Sequence, residues 1–302
     1  MLTMPHIRRS ILTLLSFCLI GVAAKDNNAI PKVSSFLRKF PIQRRRVVAR
    51  RREEQLHIIR GGNVVFEKRT IAQVASAVSF LQGCSCWLMP GRTCRTYGIH
   101  AQLIHEWAMR QVGIILLQFG LVGGCLFSKR CSLNTSIGVA TLIRCAESCR
   151  CLLTYEPQIL GFAASPHYYS LVLNGVLAYI ALSSQPFADK VNKLHGVFLS
   201  LSGLMVTLQP RKMLELAGFQ SFDRILLKLI RGYGLWVLSL SIFLGGLAWD
   251  VEPKRALAFS RVLILFRTLM VHFVLNRSGT FNAKQVPWLI YHALIATLLL
   301  VD

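Results

Sequence analysis

Arg231 to Trp249 reads RGYGLWVLSLSIFLGGLAW, an apolar run entered through an Arg-x-x-Gly step and carrying the pair Gly245-Gly246. Its length and composition predict a membrane helix. The chain contains nearly the same stretch earlier: Arg110 to Phe127 reads RQVGIILLQFGLVGGCLF, with Arg110, Gly113 and Gly124 each 121 positions before Arg231, Gly234 and Gly245. Self-similarity at a fixed offset points to a tandem repeat, and missing it would misread the whole fold.

The correspondence extends outward on both sides. Pro90 and Gly98, eight apart, recur as Pro210 and Gly218, and Arg92 is answered by Lys212. Arg144 and Arg150 are six apart, as are Arg261 and Arg267; Pro166 with Tyr168 and Tyr169 recurs as Pro287 with Trp288 and Tyr291. The register shifts by four between Gly124 and Arg144, which reads as an insertion in the turn KRCSLN.

From Ile71 onward eight apolar segments are predicted, at 71–89, 111–127, 137–154, 166–183, 193–208, 233–249, 256–275 and 286–301. Several fall short of the ~20 residues needed to cross ~30 Å of hydrocarbon, so interfacial residues must complete those spans. The expected fold is all-α and polytopic: a basic leader at 1–70, then four-helix transmembrane units at 71–183 and 184–302. Four helices per unit bring each half back to its starting side, so the two halves run parallel about an axis along the membrane normal. Superposition should set Arg110 on Arg231 and Pro166 on Pro287. The mixed apolar and charged connector Phe219 to Ile230, FQSFDRILLKLI, is expected to lie in the interface, with Gly113 and Gly234 marking the bends into the following helices.

Composition agrees. The chain is 53% hydrophobic, with 35 Lys+Arg against 13 Asp+Glu, and 15 of those basic residues but only 4 of the acids fall in residues 1–70. A basic arm of this kind usually signals nucleic acid; on a chain otherwise embedded in a membrane it does not. Two targeting readings remain open for the start. Arg8 and Arg9 followed by the apolar run from Ile11 to Ala24 fit a secretory signal, but would send the basic stretch after Lys25 across the membrane against the positive-inside tendency. A presequence for a mitochondrion or plastid fits the acid-poor, Arg- and Ser-containing composition better. Retention of residues 11–24 as a further helix is the third possibility.

The order of proline-ended helix, glycine, basic connector, Arg-x-Tyr-Gly opening the next helix and arginine inside the third resembles the small four-helix membrane proteins of the p53-inducible-protein and DoxX-like kind. Arg231-Gly232-Tyr233-Gly234 matches that pattern, whereas Arg110-Gln111-Val112-Gly113 departs from it at Val112. The resemblance implies a four-helix bundle unit, here doubled, and implies no activity.

The candidate site residues are Arg144 and Arg261, with Arg110 and Arg231 at the helix entrances, as positions for an anion or lipid phosphate, which guanidinium geometry suits. An intramembrane cation costs roughly 2.5 to 3.5 kcal/mol on insertion scales unless it is paired or reaches water, so Arg144 and Arg261 should project into the protein toward polar partners. Snorkelling to the interface is the competing account, above all for Arg150 and Arg267. Glu147, three residues from both Arg144 and Arg150, can pair with either. Gly120 and Gly124, matched by Ser241 and Gly245, are expected to be helix-packing positions.

Eight of the nine cysteines lie between Cys84 and Cys151 and none in the second half, so the shared architecture does not depend on them, and no C-x-x-C pair points to a metal. His195, His272 and His292 stand far apart. Of the sequons at Asn134 and Asn276, helix alternation allows at most one to face a lumen. No Gly-rich phosphate loop, serine elbow, paired carboxylates or H-E-x-x-H occurs, which disfavours catalysis and implies no cofactor. The expected role is a non-catalytic structural or assembly component of an organellar membrane, in contact with lipids and with membrane-protein partners or further copies of itself. A carrier for a small anion or lipid, and an endoplasmic reticulum or secretory-pathway location, are the alternatives.

Overall fold

The computed structural model describes residues 67–128, 131–183, 187–270 and 286–301; residues 1–66 of the leader, the Asn276 sequon, His272 and the side chain of Arg267 lie outside the described residues, while 68–70, expected to close the leader, begin the first helix. Residues Glu67–Asp302 form one compact unit. All regular structure among the described residues is helical: α1 (Lys68–Leu88), α2 (Pro90–Thr96), α3 (Leu103–Phe127), α4 (Leu133–Leu153), α5 (Glu156–Leu160), α6 (Ser165–Leu182), α7 (Ala188–Leu208), α8 (Pro210–Leu216), α9 (Arg224–Ala248), α10 (Pro253–Met270) and α11 (Val286–Leu300). Four of them, α1, α3, α7 and α9, are long and apolar enough to cross a membrane. The charges of α4 and the 15-residue length of α11 leave those helices below that mark.

The helices up to α3 and those from α7 to α9 match in length, at 21, 7 and 25 residues each. α1 breaks at Met89 with φ −129° and ψ 54°, α7 at Gln209 with φ −127° and ψ 55°, and in each case proline starts the next short helix. Proline restricts the residue before it to extended backbone and is favoured in a first helical turn, so these breaks follow from Pro90 and Pro210. The short helices end at Gly98 and Gly218, with φ of 74° and 89°, where a side chain would be strained.

Packing follows the same order in each half: α1 on α3, α3 on α4, α4 on α6, and likewise α7 on α9, α9 on α10, α10 on α11. α3 packs on α9 at the centre, α1 reaches across to α10 and α11, and α7 reaches across to α4 and α6. Along the seam Phe119 and Phe243 stack 5.2 Å apart with rings 3° from parallel. His105 in the first turn of α3 meets Asp223, which caps α9, so both central helices begin at the same end of the bundle.

Several expectations change. Gly113 and Gly234 do not bend the chain; each lies inside a continuous 25-residue helix at its closest approach to the preceding long helix. A Cβ on Gly113 would lie 2.8 Å from the Trp87 nitrogen, and one on Gly234 2.7 Å from the Thr207 nitrogen. The reciprocal positions are Gly83 and Gly203, where a Cβ would come within 2.6 Å of the Leu117 and Leu238 nitrogens. The predicted interfacial stretch also differs, because from Arg224 to Ile230 it is the first part of α9. Arg224 and Lys228 interrupt the apolar run that marks a span, but do not interrupt helical hydrogen bonding. Finally, α4 and α10 start at residues 133 and 253, an offset of 120, so the turn before α4 is one residue longer than its counterpart rather than four.

Removing this close approach should be costly. Gly83→Ala and Gly203→Ala should each lower stability by about 1–3 kcal/mol, because the added methyl meets backbone that cannot rotate away. Gly124→Ala, where a Cβ meets nothing within 4 Å, should be neutral or raise stability by up to about 1 kcal/mol through helix propensity. Thermal unfolding of the three variants in detergent checks the contrast.

Candidate polar site within the bundle

At the end where α3 and α9 begin, six charged residues close into one network. Glu147 on α4 is 2% exposed. Its carboxylate accepts from Trp87 Nε1 at 2.7 Å and from Arg150 Nε and Nη2 at 2.8 Å each, with Gln111 Nε2 at 3.4 Å. Arg150 Nη2 also donates to Glu156 Oε2 at 2.7 Å, and Arg110 donates to the other oxygen of Glu156. Arg110 lies 3.9 Å from Glu106, one turn earlier on α3. Arg144 donates to Gln111 Oε1 at 3.2 Å and to the Tyr233 hydroxyl at 2.5 Å, its guanidinium lying 5.5 Å from the Tyr233 ring centre. Ion pairs join five of the six, Glu106–Arg110–Glu156–Arg150–Glu147, while Arg144 is held by an amide and a phenol instead. A buried charge is tolerable when paired and hydrogen-bonded, and Glu147, Arg150 and Glu156 meet both conditions.

Glu147 therefore pairs with Arg150, not Arg144, and Arg150 is held inside rather than snorkelling. Arg144 finds its partner 89 residues away, in the tyrosine of the Arg-x-Tyr-Gly step. Arg261 is 1% exposed on α10; its Nη2 donates to Ser79 Oγ at 2.7 Å, its guanidinium lies 5.0 Å from the Phe119 ring centre, and its Nε has no partner. Arg231 makes no ion pair or hydrogen bond among the described residues. Arg144 and Arg261 are thus both turned inward onto α3, but at different points along it, Gln111 and Phe119, and the four candidate arginines do not converge on a single point.

The glycine positions divide similarly. A Cβ on Gly120 would meet the backbone of Phe80 at 2.6 Å, whereas Gly124 faces open space and Gly123, one residue earlier, faces Ser76. Ser241 and Ser200 hydroxyls lie 2.9 Å apart, and a Cβ on Gly196 would come within 3.2 Å of the Gly245 Cα. Asn134 sits in the first turn of α4 with its amide donating to Asp189 and its oxygen accepting from Asn192.

Sequence reasoning missed that Cys151 joins this site. Donor atoms of Glu147, Cys151 and Glu156 all lie within 4.8 Å of one another, a spacing suited to a metal ion. Arg150 already occupies the space between the two carboxylates, so a divalent cation would have to displace it. The i, i+3, i+4 spacing of Glu147, Arg150 and Cys151 was the available signal; Glu156, beyond the helix end, gave none. Outside the long helices, burial beside Glu106 pushes the Cys94 thiol up to about 11, which keeps it protonated and poor as a metal ligand.

At the same end His105 links the two central helices. Its Nδ1 accepts from the Gln102 backbone N–H, which leaves Nε2 to donate to Asp223 at 3.0 Å, and Asp223 also accepts from the Leu226 N–H at 2.7 Å. Burial acts to raise the Asp223 carboxyl, but the Leu226 N–H and the His105 ring outweigh it and hold the group below the ordinary carboxylate range. A depressed carboxyl stabilises the fold above its unfolded pKa, and that contribution is lost as pH falls through the folded value.

Two outcomes are expected from unfolding measurements. Glu147→Leu should cost about 3–5 kcal/mol, since Arg150 would stay buried with half its partners gone. Asp223→Ala should cost about 1 kcal/mol as a lost cap, and the gap between wild type and this variant should close below about pH 4. Comparison with protein-family models, curated proteins and solved structures finds no match to this chain.

Proposed function

We propose that the chain is a multi-pass membrane protein made of two duplicated four-helix units in parallel orientation, and that it serves as a non-catalytic scaffold or assembly component of an organellar membrane. The resemblance to the p53-inducible-protein and DoxX-like group belongs to this reading. Duplication is supported by the matched helix lengths, the two equivalent glycine crossings and the reciprocal way α1 and α7 reach across the seam. The membrane setting is supported by inverted polarity: Tyr169, Val172 and Tyr179 on α6 and Leu194, Phe198 and Leu201 on α7 point outward, while Gln118, Ser239 and Ser260 are buried. The acid-poor leader supports a mitochondrion or plastid.

The observation that carries the scaffold reading over the carrier reading is the fate of the arginines. A carrier needs cationic groups that water and substrate can reach; here Arg110, Arg144 and Arg150 are engaged with carboxylates, an amide and a phenol, and Arg261 is closed off from solvent.

The test is isolation of the full chain through a C-terminal epitope. After alkaline carbonate extraction it should remain in the membrane pellet of mitochondria or plastids, and native electrophoresis in mild detergent should place it in an assembly well above its own 33.9 kDa. A lone monomer that moves anions across liposomes, with flux abolished by Arg144→Leu or Arg261→Leu, would overturn the scaffold reading in favour of the carrier.

A further inference from the structure

A pocket of about 430 Å³ with a mixed polar and apolar lining opens where α1 gives way to α2. Gln82, Ser85, Arg92, Thr93, Thr96 and Tyr97 supply its polar lining. The second half builds the same helix, break and short helix, with backbone angles at the break that agree within a few degrees. Yet 120 positions on, Ser85 is replaced by Met205, Thr93 by Met213, Thr96 by Leu216 and Tyr97 by Ala217. The fold therefore forms this bend without hydroxyl groups at these four positions, although Ser202 stands where the first half has Gln82.

The donors left over define what could bind. Thr93 Oγ1 donates to the Ser85 and Met89 carbonyls, and Thr96 Oγ1 to the Arg92 carbonyl, so these hydroxyls are committed to their own backbone. The Tyr97 oxygen accepts from Gln82 Nε2 at 3.5 Å, and its own O–H donates to no acceptor among the described residues. The guanidinium of Arg92 has no partner among the described residues. The nearby carboxylate of Glu106 lies against Gly91 and turns toward Arg110 without lining the pocket. On the equivalent short helix Arg211 is instead paired with Glu215 and placed over the Phe222 ring.

Two unspent donors, one a planar fork of N–H groups and the other a phenol, suit a phosphate oxygen pair. The depth agrees with this chemistry. The pocket spans the last two turns of α1 and the short helix after it, and Tyr97 in its wall is of the sort that marks the headgroup layer. Leu81, Leu88 and Met89 are exposed at the same end of α1 and give an acyl chain an apolar track.

We propose that this pocket binds a phosphate group, as the headgroup of an anionic phospholipid whose chains run along α1. The proposal rests on the membrane reading above. It is tested by native mass spectrometry of the full-length protein in detergent, titrated separately with phosphatidylglycerol and with inorganic phosphate. Wild type should retain phosphatidylglycerol, Arg92→Gln should weaken retention about tenfold, as expected for one charged hydrogen-bonding contact, and Tyr97→Phe should weaken it by a smaller factor. Lys212→Gln, the matching position of the second half, should leave retention unchanged. Inorganic phosphate bound as well as the lipid, with the same loss in Arg92→Gln, would keep the site and assign it to free phosphate.

Equal lipid retention by wild type, Arg92→Gln and Tyr97→Phe, with unaltered thermal unfolding of the variants, overturns the proposal. Carbonate extraction separates this failure from the other: a chain that stays in the pellet yet binds lipid indifferently loses only the pocket, while one released to the supernatant loses the membrane reading and the pocket together.

Discussion

The architecture depends on helix backbones coming within touching distance at two equivalent crossings, Gly83 against Gly113 and Gly203 against Gly234, with Gly120 against Phe80 adding a further contact to the first pair of helices. In the membrane setting proposed above, helices gain little from hiding apolar surface, because acyl chains are as apolar as leucine, and dispersion between closely approached surfaces has to hold them. A side chain at any of these four glycines would part the helices and forfeit those contacts, since dispersion fades within an ångström of separation. Everything else is hung on these two crossings: α4 and α10 cover α3 and α9, α6 and α11 complete each group, and the Phe119–Phe243 stack joins the groups to each other.

Charge is distributed with far less symmetry than backbone. One half holds Arg110, Arg150 and three glutamates in an ion-paired cluster on α3, α4 and α5, with Trp87 of α1 as a neutral donor and Arg144 tied alongside through Gln111 and Tyr233. The other keeps Arg231 and Arg261 but has Leu227 where the first has Glu106. Arg261 rests on a serine and an aromatic face instead. The two halves share the same crossings but differ where polar side chains are concerned, and both the internal cluster and the pocket beside Arg92 fall in the first half.

Much of the frame was legible in the sequence because it is written locally. Pro90 and Pro210 fix where the long helices end, and Gly98 and Gly218 fix where the short ones turn. Apolar runs located all eight longer helices, although Arg224 and Lys228 concealed that α9 begins well before its apolar stretch. The site was less legible because its decisive contacts are between distant residues. Nothing near Arg144 in the chain points to Tyr233, and nothing near Glu147 decides between two arginines at equal spacing. The choice is made in three dimensions by Trp87, Gln111 and Glu156, which fix where the carboxylate lies and leave Arg150 the only guanidinium able to meet it with two nitrogens.

The bond between His105 and Asp223 spans the seam at one end only. Deeper along the same helices the seam is held by ring stacking and aliphatic packing, which are short-ranged and have no directional anchor. The halves are tied elsewhere as well: at the opposite rim Asn134 on α4 meets Asp189 and Asn192 on α7, and Arg261 on α10 reaches Ser79 on α1. Directional bonds thus flank an apolar centre, so the halves cannot part at either rim without breaking one, and the Phe119–Phe243 stack between them is kept from sliding open.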